Sequence, residues 1–249
     1  MSTLRVDAIR HNSATSDAIT TATDGTCTAR ITGMTGGGGL SYRNLVINGA
    51  FLIAQRGVSS TSDTFATVDR FYKFHNGTDE SPTQAQADVS SGTTPYTNGF
   101  RKVFKITNGN QTSGAGAADV IEILTRLEAQ DIANSGWNYT DTNSFITLSF
   151  WVKSSVAQNF YGHIQTTDGT SQNYPFETGS LTADTWTKIV KTIPGNSNLQ
   201  FDNNNQLGLT IKWQMYRGTN TTDSGVTLNA WAAFASGTRT PDQTSTWYT

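Results

Sequence analysis

The chain has little with which to do covalent or metal chemistry. Of its 249 residues one is cysteine, Cys27, so no internal disulfide forms and stability must come from packing, strand pairing or assembly. The three histidines, His11, His75 and His163, lie far apart and outside metal-ligand spacings such as H-E-x-x-H. Charge is scarce too: 14% of residues, 17 Lys and Arg against 19 Asp and Glu, for a net charge of -2. That balance argues against holding nucleic acid or an anionic membrane by bulk electrostatics. No apolar run approaches the roughly 18 residues that cross a bilayer, and the opening MSTLRVDAIRHN has no apolar stretch of a secretory signal. The expectation is a protein made in a cytoplasm and not inserted into a membrane. There is no G-x-S-x-G elbow, and the four glycines 36–39 are not followed by the Lys-Ser/Thr of a phosphate loop. No exact internal repeat occurs, which disfavours a propeller or solenoid.

What is present is aromatic and polar: Trp 6, Tyr 8 and Phe 12, set among Thr, Ser, Asn, Gln and Gly, the profile of a wet β-structure. Residues 1–43 stand apart, with no aromatic before Tyr42 and the glycine run 36–39 as a hinge. Within them two short alternating segments, one carrying Leu4, Val6 and Ile9 and the other ending at Ile31, suggest strands joined by a polar turn at Asp24 and Gly25. So short an arm buries little alone, and its strand edges need another protein or copies of itself.

Residues 44–249 show period-two segments separated by turn formers, the spacing of a sandwich. In 206–217 the set Leu207, Leu209, Ile211, Trp213 and Met215 alternates with Thr210, Lys212, Gln214 and Tyr216, and 145–153 alternates likewise. Further strands are expected over 101–106, 159–165, 186–193 and 227–234. A helical interlude is expected over 119–134, where Ile121, Leu124, Leu127 and Ile132 approximate one face. Asn48-Gly49 is a turn pair or a kink at the domain start. Asp69 and Arg70 would form a structural hydrogen bond, and Trp186, heading a strand, would anchor the core.

Sugar binding needs flat aromatic faces beside amide and carboxylate side chains. Candidates in loop-like surroundings are Tyr96, Trp137, Tyr139, Tyr161 with His163, and Tyr174. Calcium is conceivable on Asp202 and the asparagines 203–205, or on Asp63 and Asp69, although these residues also suit plain turns. Carboxylate pairs for glycoside hydrolysis, Asp119 with Glu122 and Glu128 with Asp131, fall at i,i+3 on the expected helix, a spacing common by chance.

Five stretches in order, NLVINGAFLIAQRG at 44–57, TVDRF at 67–71, LTRLEAQDI at 124–132, TLSFWVKS at 147–154 and DTWTKI at 184–189, resemble the tail-fibre and fibre-like structural proteins of tailed phages, especially phages of marine cyanobacteria and related bacteria. The opening MSTLRVDAI is similar to the attachment leader of such fibres. The resemblance implies a jelly-roll β-sandwich similar to carbohydrate-binding modules, carried on virions, usually as a homotrimer. It implies an arm that docks to tail or capsid proteins and a body that adsorbs to host-surface glycan without catalysis. Capsid decoration or a tail adaptor without glycan binding is the rival, and a polysaccharide depolymerase the third reading. Relatives tend to continue past the equivalent of Trp247, Tyr248 and Thr249 with one more strand, which leaves a shortened product or completion by a neighbouring chain.

Overall fold

Period-two alternation becomes antiparallel pairing along most of the chain. A computed structural model describes residues 7–10, 12–13, 15–17, 19–21, 23, 27–29 and 44–249. Of these, 37% are strand and 5% helix, so the class is all-β. Two compact units divide the chain, Met1–Arg43 and Asn44–Thr249. In the first, β1 (Ala8–Ile9) and β3 (Cys27–Ala29) both pair with β2 (Ile19–Thr21). The two expected segments therefore form no hairpin with each other. The backbone amide and Oγ1 of Thr21 both donate to the Asp7 carbonyl, at 2.9 and 3.0 Å. Ile9 is exposed, while Leu4, Val6, Ile31 and the glycine hinge 36–39 lie outside the described residues.

The second unit contains β4 (Ser59–Ser60), β5 (Phe71–Asn76), β6 (Thr83–Asp88), α1 (Thr94–Thr97), β7 (Lys102–Thr107), β8 (Val120–Glu128), α2 (Ala129–Ala133), β9 (Phe145–Val152), β10 (Asn159–Thr166), β11 (Gln172–Ser180), β12 (Thr187–Pro194), β13 (Leu207–Arg217) and β14 (Ala232–Ala233). Three antiparallel pairs nest one inside the next: β10 with β11, β9 with β12, and β8 with β13. The first and third lie in one six-stranded sheet, β14-β11-β10-β13-β8-β5, and the second forms its own sheet. A long hairpin folded over itself in this way is the winding of a jelly roll. β4, β6 and β7 make a further three-stranded sheet.

The core lies between these layers. Leu127, Ile164, Tyr174, Phe176, Leu209 and Ile211 of the large sheet meet Leu148 and Ile193 of the β9–β12 pair. Val68, Phe71 and Phe104 form a second cluster towards β7, and Trp213 packs against both. Its ring sits 5.8 Å from Phe150 and 6.3 Å from Phe71. Each such buried side chain contributes roughly 1.5–3 kcal/mol of transfer free energy.

Several expectations need correction. Residues 120–128 form a strand, not a helix, because Ile121, Ile123 and Leu127 face the core while Glu122, Leu124 and Arg126 face away. Only Ala129–Ala133 is helical. Strand structure within 227–234 is confined to Ala232–Ala233. β11 was hidden by Pro175, which the strand tolerates because β14 covers that side only at Gln172 and Asn173. The expected turn at Asn48-Gly49 is present, closed by the Phe51 amide on the Asn48 carbonyl at 2.8 Å, and at φ 58° the Asn48 side chain bonds Ile53 in both directions and donates to the Asp69 carbonyl. The Asp69 carboxylate accepts from the Gln55 amide at 3.2 Å, with Arg56 at 3.9 Å as its ion-pair partner instead of Arg70. Trp186 is half-buried under the Lys153 ammonium, outside the core clusters.

Gly162 marks a tight crossing. A Cβ there would lie 2.5 Å from the Lys212 carbonyl oxygen and closer still to the Phe176 ring. Since β13 and the core both fix these atoms, Gly162→Ala should destabilise the fold by about 3 kcal/mol. Thermal denaturation should show Tm lowered by roughly 6–12 °C; an unchanged Tm would contradict this packing.

Candidate functional site

Polar chemistry gathers on the face of the six-stranded sheet turned away from the core. With Leu209, Ile211 and Trp213 inward, β13 presents Thr210, Lys212 and Gln214 outward, and β5 presents Tyr72 and Phe74. Strand register sets Tyr72, Leu124, Lys212 and His163 in one row across four strands, and Arg126, Thr210 and Gln165 in the next. At about 4.8 Å per strand, the longer row extends about 14 Å. A groove of about 330 Å³ follows these rows, lined among others by Tyr72, Phe74, Arg126, Gln165, Lys212 and Arg239.

Phe74 is 39% exposed and supplies the open aromatic surface. Tyr72 is steadied by Phe65, edge-on at 4.8 Å, and by Arg126, whose Nη2 donates to its hydroxyl at 2.8 Å. Burial pushes the Tyr72 hydroxyl pKa up, so the phenol stays neutral. In the floor of the groove Glu122 is buried and accepts from Arg217 Nη2 on one carboxylate oxygen, with Lys212 Nζ 3.9 Å from the other. Lys212 also reaches Gln165 Oε1 at 3.4 Å. Burial lowers the Lys212 pKa; Glu122 opposes this, and Arg239, Arg217 and Arg126 add to it.

The far end of the same face is roofed by the segment after β13. Thr240 Oγ1 donates to Gln214 Oε1 at 2.9 Å, and Asn173 donates to the Arg239 carbonyl at 2.8 Å. Beneath this roof His163 is fully buried, with Nδ1 3.1 Å from Gln214 Nε2. Burial first, then the cations Lys212, Arg217 and Arg239, hold its pKa well below the ordinary 6.5, so the ring is neutral.

The chain matches no protein-family model, no curated protein and no solved structure. The site therefore has to be judged on its own chemistry.

The six aromatic and histidine candidates do not converge. Trp137 is buried with its indole donating to the Ser144 carbonyl, and Tyr174 is 1% exposed inside the core. His163 is buried as described. These three offer no face to a ligand, because Trp137 and Tyr174 pack in the core and His163 lies beneath the roof. Tyr139 is half-buried edge-on against Phe201, and the Tyr96 ring carries the Arg101 guanidinium 3.9 Å from its centroid. Tyr161 is half-buried on the outer face of β10, opposite Glu177 in register. The residues that do converge, Tyr72, Phe74, Arg126, Gln165, Lys212 and Arg239, escaped sequence reading. Their signal was the polar half of each alternation, which names a face but not its neighbours.

Other clusters are accounted for locally. Asp63 Oδ1 lies 2.6 Å from His75 Nδ1 and 2.9 Å from Lys73 Nζ, and His75 Nε2 is 3.1 Å from Ser81 Oγ. The order Ser-His-Asp is that of a nucleophile relay, but the buried Lys73 ammonium takes the same carboxylate oxygen. Although burial alone would raise the Asp63 pKa, Lys73 and His75 hold it below the usual carboxylate range. The cluster ties β5 to the segment at 61–63, since Lys73 also donates to the Thr61 carbonyl. Asp119 accepts from the Gly116 amide and the Tyr248 hydroxyl, both at 2.7 Å, so it does not face Glu122 across a cleft. Among the described residues no group of three or more His, Cys, Asp or Glu is placed to hold a metal ion. No helix among them is long and apolar enough to cross a membrane. A second groove, about 520 Å³ beside Pro175, Val226 and Trp231, has Asp223 as its one charged lining residue.

Unfolded chain binds a proton at His163 near the ordinary 6.5, and folded chain refuses it, so stability is full above that pH and falls as pH drops below it. His163→Gln should remove this loss: the Tm difference between about pH 7 and about pH 5 should shrink by several degrees relative to wild type. An equal difference in both proteins would mean that His163 is protonated in the fold.

Proposed function

We propose that this chain is a non-enzymatic structural protein of a tailed-phage virion, attached through residues 1–43 and presenting the sandwich to glycans of the host surface. The carrying observation is the groove, in which an exposed Phe74 and the neutral Tyr72 stand beside amide, hydroxyl and cationic side chains on a rigid sheet. An aromatic surface stacks on the apolar side of a pyranose while polar neighbours bond its hydroxyls. Further support comes from the resemblance of the five stretches and the opening leader to phage fibres. Weak contacts repeated in an oligomer, a homotrimer in this reading, would add through effective concentration.

Retention of the full chain on host-envelope polysaccharide is the test. Phe74→Ala should weaken retention by about tenfold, the loss of one stacking contact, while Tm stays within about 2 °C of wild type because Phe74 is a surface residue. Antibody against the chain should label purified particles. Labelled particles without polysaccharide retention would favour capsid decoration or a tail adaptor, and unlabelled particles would refute the virion assignment.

A further inference from the structure

Resting on the glycan reading above, we propose that the groove is built for an acidic polysaccharide, with a carboxylate or sulfate group of the sugar seated over Lys212 between Arg126 and Arg239. The reason is a local imbalance of charge opposite in sign to the chain as a whole. Arg126, Lys212 and Arg239 line the groove together with Glu122. Glu122 is already engaged by Arg217 from below and stands 3.9 Å from Lys212. Arg126 and Arg239 pair with no carboxylate among the described residues. Four cationic groups thus share one carboxylate.

Donor capacity is left over as well as charge. Arg126 uses Nη2 on the Tyr72 hydroxyl, and Arg239 Nε is buried without a hydrogen-bond partner. Planar guanidinium groups with free donors match the paired oxygens of a carboxylate or sulfate. A neutral sugar would satisfy those donors and leave the mutual repulsion of the cations. An anion removes both. Burial is the main cause of the lowered Lys212 pKa, and beyond it Arg239, Arg217 and Arg126 lower it further against the opposing pull of Glu122. Phe74 lines the same groove with an exposed ring, a surface for the apolar side of the sugar that carries the anionic group. Because the net charge is -2, attraction must come from this groove and not from the molecule at large.

The test uses the full chain in affinity electrophoresis through polygalacturonate, dextran sulfate and unmodified dextran. Retardation is expected in one or both anionic gels and not in dextran; polygalacturonate alone identifies the carboxylate, dextran sulfate alone the sulfate ester. Arg126→Gln, at an exposed site, and Lys212→Met should each weaken that retardation by about tenfold. Lys188→Gln, on the other sheet, should leave it unchanged. If Lys212→Met proves unstable in a melt, Arg126→Gln decides. Retardation in anionic gels that is equal for wild type and both variants would overturn the proposal as non-specific attraction. Equal retardation by dextran, or none in any of the three gels while host polysaccharide is still retained, would overturn the charge inference alone. Loss of retention on host polysaccharide as well would take the glycan reading with it.

Discussion

The pairing of β8 with β13 is the constraint on which the rest depends. It is the outermost of three nested pairs and runs through the middle of the large sheet. Its inner side chains, Ile121, Ile123, Leu127, Leu209, Ile211 and Trp213, reach the core clusters on that face. Its outer side chains include Glu122, Arg126, Thr210 and Lys212, the floor of the groove. Register is locked from both sides: a slip of one residue would drive Glu122 and Lys212 into the core. The Glu122–Arg217 ion pair adds to this, since a buried charge left without its partner costs roughly 3–5 kcal/mol.

How much of this was legible depends on how differently the two faces of each strand are solvated. β9 and β13 carry apolar residues on one face and polar ones on the other, so alternation alone located them. β8 was read as a helix because Leu124 on the outer face breaks the alternation and, with Ile121, Leu127 and Ile132, imitates a helical stripe. Leu124 is apolar there because Tyr72 and Lys212 flank it in register and keep it 3% exposed. β11 was read as loop because Asn173 and Pro175 are turn residues in general. Here Asn173 bonds the roofing segment, and Pro175 sits where no neighbour needs its amide.

The groove was the least legible part, for a geometric reason. Its residues at 72, 74, 126, 165, 212 and 239 come from four strands and a distal loop, and only strand register joins them. Aromatics in Gly and Asn rich loops looked exposed from sequence, yet the open ends of a sandwich must be covered, and Trp137 and Tyr139 serve that purpose around Phe201. Loop composition reports backbone conformation more faithfully than solvent exposure.

Net charge carried the opposite lesson. A value of -2 describes the far field, which salt screens within about 8 Å. Inside the groove the relevant charges are those within a few ångströms, at an effective dielectric well below that of water. There the Lys212 backbone is paired on both sides, which fixes where its side chain starts on the face, and that side chain is mostly buried. Folding therefore sets cations close together before any ligand arrives. On the proposed reading the repulsion between them is relieved by the anion, so part of the binding free energy is strain that the β-sheet has already imposed. Affinity of that kind depends on sheet rigidity, which ties the groove back to the β8–β13 pairing beneath it.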